Sequence, residues 1–169
     1  MGPLVLLMEQ HDDGLVDAAL RIAVRAHAGQ ADKAGLPYIE HPTRVAARLA
    51  TSELKAVALL HDVLEDTDVT VEDLAAAGLP KAVIDGVIAM TKRPGDDYPA
   101  AVARAARHPL ARAVKAADIA DNADPQRLAL LPTSEAQRLR EKYELGRRVL
   151  ANEAERQLPA TGEAAHRLG

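Results

Sequence analysis

The sequence predicts an all-α protein, a single-domain bundle of roughly eight helices, on three observations. The apolar fraction is 48% and comes mainly from Ala, Leu and Val, with no Phe, no Trp and three Tyr; Ala and Leu are the residues that lose least on entering a helix. Apolar positions recur every three or four residues through most of the chain, the period of one helix face. No stretch alternates apolar and polar residues as a half-buried strand does. A chain of 169 residues with this apolar content supports one core. Residues 1–169 are read as one domain, folded over about 13–157, with frayed ends from Pro159 onward.

Leu15, Ala18, Ala19, Ile22 and Ala26 form the stripe of the first amphipathic helix, which Gly29 stops. Residues 30–40 include Gly35 and Pro37 and read as a loop. Pro42 suits the first turn of the next helix, carried by Val45, Ala46 and Leu49. Ser52 is the expected N-cap of a helix over 53–65. Its run Ala56-Val57-Ala58-Leu59-Leu60 is apolar all round, which predicts a central, buried element. Thr70, followed by Glu72 and Asp73, starts a short helix that ends at Gly78. Further helices are expected over 80–90, 98–107 and 109–121, the last opened by Pro109, with Pro125 interrupting the chain beyond it. Ser134, with Gln137 three residues on, is the expected cap of a long closing helix reaching about residue 156. No repeat, low-complexity tract or linker breaks this order.

Composition narrows the chemistry. The absence of Cys removes disulfides, thiolate metal sites and Cys nucleophiles, leaving His, Asp and Glu as metal ligands. The apolar run from Pro3 to Met8 is too short for a membrane span and lacks the pattern of a signal peptide, so a cytoplasmic protein with no membrane partner is expected. A net charge of −4 with both signs interspersed argues against a surface that follows a nucleic-acid backbone. A small anionic ligand needs only a local basic pocket, and a homo-oligomer is compatible with the pattern.

The densest chemistry is His61-Asp62-Val63-Leu64-Glu65-Asp66, at the end of the most apolar helix. On a continuous helix His61 and Glu65 share one face and Asp62 and Asp66 the next, so one turn presents an imidazole and three carboxylates. Such carboxylates repel one another, and burying them beside an Ala-Leu run is costly unless protons or a cation neutralise them. A divalent metal does this best. Alone, the stretch reads equally well as a helix C-terminus with solvated acids. Asp118, after the run Val114-Lys115-Ala116-Ala117, and His41, just before Pro42, shift that balance. His41, His61, Asp62 and Asp118 together offer nitrogen and oxygen donors of the kind that manganese, iron and zinc accept.

The segments Gly29-Gln30, Lys33-Ala34-Gly35, Pro37-Tyr38-Ile39-Glu40-His41-Pro42, Leu59-Leu60-His61-Asp62-Val63-Leu64-Glu65-Asp66-Thr67 and Lys115-Ala116-Ala117-Asp118 resemble the hydrolase domain of the RelA/SpoT family and its stand-alone small alarmone hydrolases, members of the HD superfamily. The likeness covers residues 15–150, and the pairing of Pro-Tyr-Ile-x-His-Pro with His-Asp-x-x-Glu-Asp-Thr is its specific part. It implies an HD-type helical bundle with a manganese ion on His41, His61, Asp62 and Asp118. It implies that Glu65 and Asp66 orient or activate an attacking water, that (p)ppGpp loses its 3′-pyrophosphate, and that Lys33, Asn122 and Tyr143 contact this nucleotide. The chemistry agrees, because a metal lowers the pKa of water and a nearby carboxylate can take its proton. Lys92, Arg93 and Lys115 either neutralise phosphate charge or form a solvated basic face. His27 is expected as a packing or supporting residue, and His11, His108 and His166 fall outside the site.

The chain departs from the family at two positions. Asp32 stands where the family's hydrolases carry an Arg that stacks on guanine, and an acid cannot make that contact and repels phosphate. Asp121 stands where the family often has an aromatic residue or His. An intact ligand set beside an altered base pocket leaves open an HD phosphohydrolase acting on another nucleotide or phosphate ester. A non-catalytic nucleotide-binding module is the reading from a different class, and the complete ligand set with Glu65 and Asp66 argues against it.

Overall fold

The computed structural model describes the backbone of residues 3–158 and the side chains of residues 14–158. The expected fraying from Pro159, His166 and the side chain of His11 lie outside those residues. Ten helices follow in order: α1 (Pro3–Ala26), α2 (Glu40–Ala47), α3 (Ser52–Leu60), α4 (Val63–Asp66), α5 (Val71–Ala76), α6 (Lys81–Met90), α7 (Tyr98–Ala106), α8 (Pro109–Asn122), α9 (Pro125–Leu128) and α10 (Thr133–Gln157). Among the described residues there is no strand, only an isolated bridge between Ala31 and Pro37. No described helix is long and apolar enough to cross a membrane.

The apolar run on α3 is central, as its composition predicts. Ala56, Val57, Ala58, Leu59 and Leu60 are all buried, and α3 packs against α1, α2, α6 and α8. Beyond its solvated first turn, α3 leaves no side-chain face for water, and residues 56–60 are held by burial on every side.

Four local details differ from the sequence-based expectation. Thr51, not Ser52, caps α3, because Thr51 has the extended backbone of an N-cap and its hydroxyl accepts the N–H of Leu54 at 3.3 Å. The helix expected over 53–65 breaks at His61-Asp62. His61 Nδ1 lies 2.6 Å from the carbonyl oxygen of Ala58, the acceptor that the next helical N–H would use, so a side chain competes with the backbone ladder. Asp62 then opens a new turn, and its carbonyl accepts the N–H groups of Glu65 and Asp66 at 3.2 and 2.9 Å. Pro125 starts α9 rather than only interrupting the chain, with the Asp124 carboxylate capping Gln126 at 2.8 Å. Finally, α10 begins at Thr133 after Pro132, without a side-chain cap, which places Ser134 inside its first turn. The capping box at Thr70 and Asp73 forms as expected.

The 30–40 loop doubles back on itself. Asp32 donates its N–H to Leu36 at 2.8 Å, Tyr38 donates to Gln30 at 2.9 Å, and Gly35 takes the positive φ of 81° that this reversal requires. Further along the chain, α10 lies close on α7 and α8 at Gly146. A Cβ there would stand 2.5 Å from the Tyr98 hydroxyl and 2.8 Å from Ile119 Cδ1, so any larger residue would have to push the ends of these two side chains aside.

Candidate metal centre and cavity

Three elements bring the His and Asp residues together: α2 carries His41, the turn between α3 and α4 carries His61 and Asp62, and α8 carries Asp118. His41, His61 and Asp118 are buried and offer ligand atoms that all lie within 4.8 Å of one another. Each imidazole has its Nδ1 engaged from behind, His41 by Asp121 Oδ2 at 2.9 Å and His61 by the Ala58 carbonyl at 2.6 Å. The two Nε2 atoms are thereby turned toward the same carboxylate oxygen, Asp118 Oδ1, at 3.2 and 3.7 Å. Fixing one ring nitrogen this way sets the orientation and basicity of the other. Asp62 flanks the trio, with its Oδ2 2.9 Å from His61 Nε2 and accepting the hydroxyl proton of Tyr38. Lys115 and Asn122 hold the Asp118 carboxylate from one turn either way, at 2.9 and 2.6 Å.

The electrostatics of this cluster are those of a site short of positive charge. Burial works against a charged His41, yet hydrogen bonds to Asp118 and Asp121 push its pKa up to about 9. His61, also opposed by burial, is raised by the charge of Asp62. Burial works against the charged carboxylates too, but Asp118 is held well below the usual range by Lys115 and both imidazoles, and Asp62 by His61. Raised imidazoles beside lowered carboxylates mark a place where a cation with two positive charges would serve the same carboxylates. The donor set of two imidazole nitrogens and carboxylate oxygens fits a divalent metal.

The cluster opens into a cavity of about 480 Å³. Glu65 lines it and accepts the backbone N–H of Lys92 at 3.0 Å, whereas Asp66 stands outside it. Burial and the negative charges of Asp62 and Glu65 push the Asp66 carboxyl up. Lys33, Asn122 and Tyr143 all reach the cavity wall. Lys33 pairs with Glu135 at 3.1 Å, and partial burial raises the half-buried Tyr143 phenol to about 12. Lys92 and Lys115 line the cavity as well, and Arg93 does not. His27 lies behind the site, its ring 4.8 Å from that of Tyr38 and its Nδ1 2.8 Å from Gln30 Oε1. His108 caps α8 away from the cavity.

Both departures from the family pattern are resolved by contacts distant in sequence. Asp32 does not confront an incoming anion with a free charge. Its Oδ1 accepts the N–H groups of Ala34 and Leu36 at 2.9 and 3.0 Å, and its Oδ2 accepts from Arg127 at 3.1 Å. Burial opposes ionisation, but these bonds keep the carboxyl low. Asp121 is fully buried and does not face water. Besides His41 it takes Arg44 Nε at 3.0 Å, and Arg127 and Arg48 stand at 3.8 and 3.7 Å. Burial opposes this charge, while His41 and Arg44 bring its pKa down to about 2. Arg127, Tyr98 and Lys142 line the cavity without any motif marking them; their positions depend on how α9, α7 and α10 pack.

No family model matches the chain. It is 46% identical over 77 residues to the guanosine-3′,5′-bis(diphosphate) 3′-pyrophosphohydrolase of Vibrio cholerae, over 42% of this chain and 11% of that protein. It is 32% identical over 145 residues to a probable GTP pyrophosphokinase of Mycobacterium leprae, over 78% of this chain and 18% of that one. A solved structure, described as a metazoan ortholog of SpoT that hydrolyses ppGpp, superimposes with a TM-score of 0.67 at 26% identity, over 82% of this chain and 84% of that chain. The chain has the RelA/SpoT hydrolase-like fold. This SpoT-like bundle spans less than a fifth of the length of the two curated relatives, and its His41, His61 and Asp118 trio fits a divalent-metal hydrolase.

Proposed function

We propose that the chain, as one HD-type domain, is a metal-dependent phosphohydrolase that removes the 3′-pyrophosphate of (p)ppGpp. The observation that carries this reading is the convergence of His41 Nε2 and His61 Nε2 on Asp118 at the head of a cation-lined cavity. The activities for which the similar proteins are named support ppGpp as substrate.

In this reading His41, His61, Asp62 and Asp118 hold the ion, with manganese proposed and iron or zinc accepted by the same donors. When bound, the cation supplies positive charge to a phosphoryl oxygen and lowers the pKa of water. The chain's own groups do the rest. Glu65 takes the proton of the attacking water, because its carboxylate reaches the cavity and is steadied by the Lys92 N–H. Asp66, one residue behind, orients that turn. Lys115 and Asn122 keep Asp118 aimed, and Lys33, Asn122 and Tyr143 contact the nucleotide. The partner is a small nucleotide rather than nucleic acid or a membrane, and the protein is cytoplasmic. The reading on another phosphate ester drew on Asp32, whose charge Arg127 meets, so that observation no longer favours it.

The test is pyrophosphate release from ppGpp, with GDP, GMP and NADPH as comparison substrates, before and after loading with manganese. Manganese-stimulated release from ppGpp, lost in Asp62→Ala, is expected. Turnover of another nucleotide with ppGpp untouched overturns the substrate, and absence of both metal uptake and turnover overturns the enzyme.

A further inference from the structure

Two of the cations on the cavity wall meet no carboxylate among the described residues. Five cations line it: Lys33, Lys92, Lys115, Arg127 and Lys142. Three are met by carboxylates, Lys33 by Glu135, Lys115 by Asp118 and Arg127 by Asp32, at 3.1, 2.9 and 3.1 Å. Lys142 meets no carboxylate among the described residues. Its ammonium sits instead 4.7 Å from the Tyr98 ring centroid and 5.6 Å from that of Tyr143, two ring faces that hold a cation without consuming its charge. Lys92 is likewise unmatched, but no ring or acid fixes its side chain.

The position of Lys142 follows from helix packing. Gly146, one turn further along α10, lets the Tyr98 ring pass beneath that helix, and this sets the ring under the ammonium. Partial desolvation there and the like charges of Lys33 and Lys115 push the Lys142 pKa below its ordinary value. Crowded cations of this kind are relieved by an anion that enters among them. The ammonium keeps its N–H donors for that purpose.

We propose that Lys142, seated on Tyr98 and Tyr143, binds a phosphate group of the substrate other than the one cleaved, so that the cavity selects nucleotides phosphorylated at two positions over those with a single phosphate chain. This rests on the pyrophosphohydrolase reading of the same cavity and adds to it a residue that sets substrate class.

The experiment compares Lys142→Met and Lys142→Arg with the unaltered protein, loaded with manganese, on ppGpp and on guanosine 3′-diphosphate, which lacks the 5′ phosphates. Loss of one charge-assisted hydrogen bond predicts a rise of about 10- to 100-fold in KM for ppGpp in Lys142→Met. The same variant is expected to change KM for guanosine 3′-diphosphate by less than about twofold, and kcat on ppGpp is expected to move far less than KM. Lys142→Arg restores most of the affinity, and added salt raises KM for ppGpp less steeply in Lys142→Met than in the unaltered protein. Equal effects on both substrates, or none on either, overturn the inference while leaving the pyrophosphohydrolase reading intact. If the unaltered protein turns over neither substrate, that reading has failed. Calorimetric binding of GDP to the metal-free protein then decides about Lys142, whose role is rejected if Lys142→Met binds GDP as tightly.

Discussion

On the wall formed by α2, the α3–α4 turn and α8, carboxylates crowd two imidazoles and push their pKa values up, whereas on the wall formed by α7, α9 and α10, cations face tyrosine rings and leucines. The first wall is short of positive charge and the second is short of negative charge. They are also built differently. Each imidazole on the first wall is oriented by a buried hydrogen bond from behind, as Asp121 orients His41 and the Ala58 carbonyl orients His61. On the opposite wall, side chains are placed by helix-to-helix contact, as Tyr98 is by Gly146. Opposite charge on facing walls is the arrangement that a metal ion and a polyanionic nucleotide, entering together, would neutralise.

Substitutions that strike one wall and spare the other test this contrast. The largest effect is expected for His61→Ala, which removes one of the two converging nitrogens. Metal content measured by elemental analysis, and ppGpp turnover, should both vanish while the helical circular dichroism persists; retained metal would show that the remaining ligands suffice. Asp121→Asn should come next, lowering metal affinity about 10- to 100-fold, the usual cost of losing the carboxylate behind a ligating His. Chelator competition measures it. The same variant has a pH signature. Asp121 titrates near 2 in the fold and near its ordinary 3.8 when unfolded, so its stabilisation is complete above 3.8 and is lost as the pH falls through about 2. The stability gap between the unaltered protein and Asp121→Asn should therefore close in acid, and a gap constant down to pH 2 would deny the Asp121 network its role.

On the other wall, Gly146→Ala places a methyl group against the Tyr98 hydroxyl and Ile119. Overpacking of this kind costs about 1–3 kcal/mol. Denaturant unfolding should show that loss, with metal affinity unchanged. The smallest effect is expected for Asp32→Asn, which keeps an oxygen for the loop N–H groups but removes the charge facing Arg127. About 1 kcal/mol in thermal stability is expected, and a metal affinity that falls with it would mean that the two walls are coupled through Arg127 and Asp121.

Much of the fold was legible in the sequence because helix signals are local. The 3.6-residue stripe, the all-round apolar run at residues 56–60, the Thr70 capping box and Pro109 each act within a few residues. The identities of the candidate ligands were legible for a related reason: few residue types bind a divalent metal, and a chain without Cys has fewer still. Tertiary structure alone decided the rest. The break at His61-Asp62 turns on one imidazole choosing a backbone carbonyl over a place on a continuing helix. Asp32 and Asp121, read from sequence as an obstacle to phosphate and an unassigned acid, owe their actual roles to Arg127, His41 and Arg44. Lys142 acquired its place from Tyr98 and Gly146, on a different helix and one turn away. Composition and periodicity constrain what a segment becomes, but which charge meets which is settled only when segments far apart in the chain are packed together.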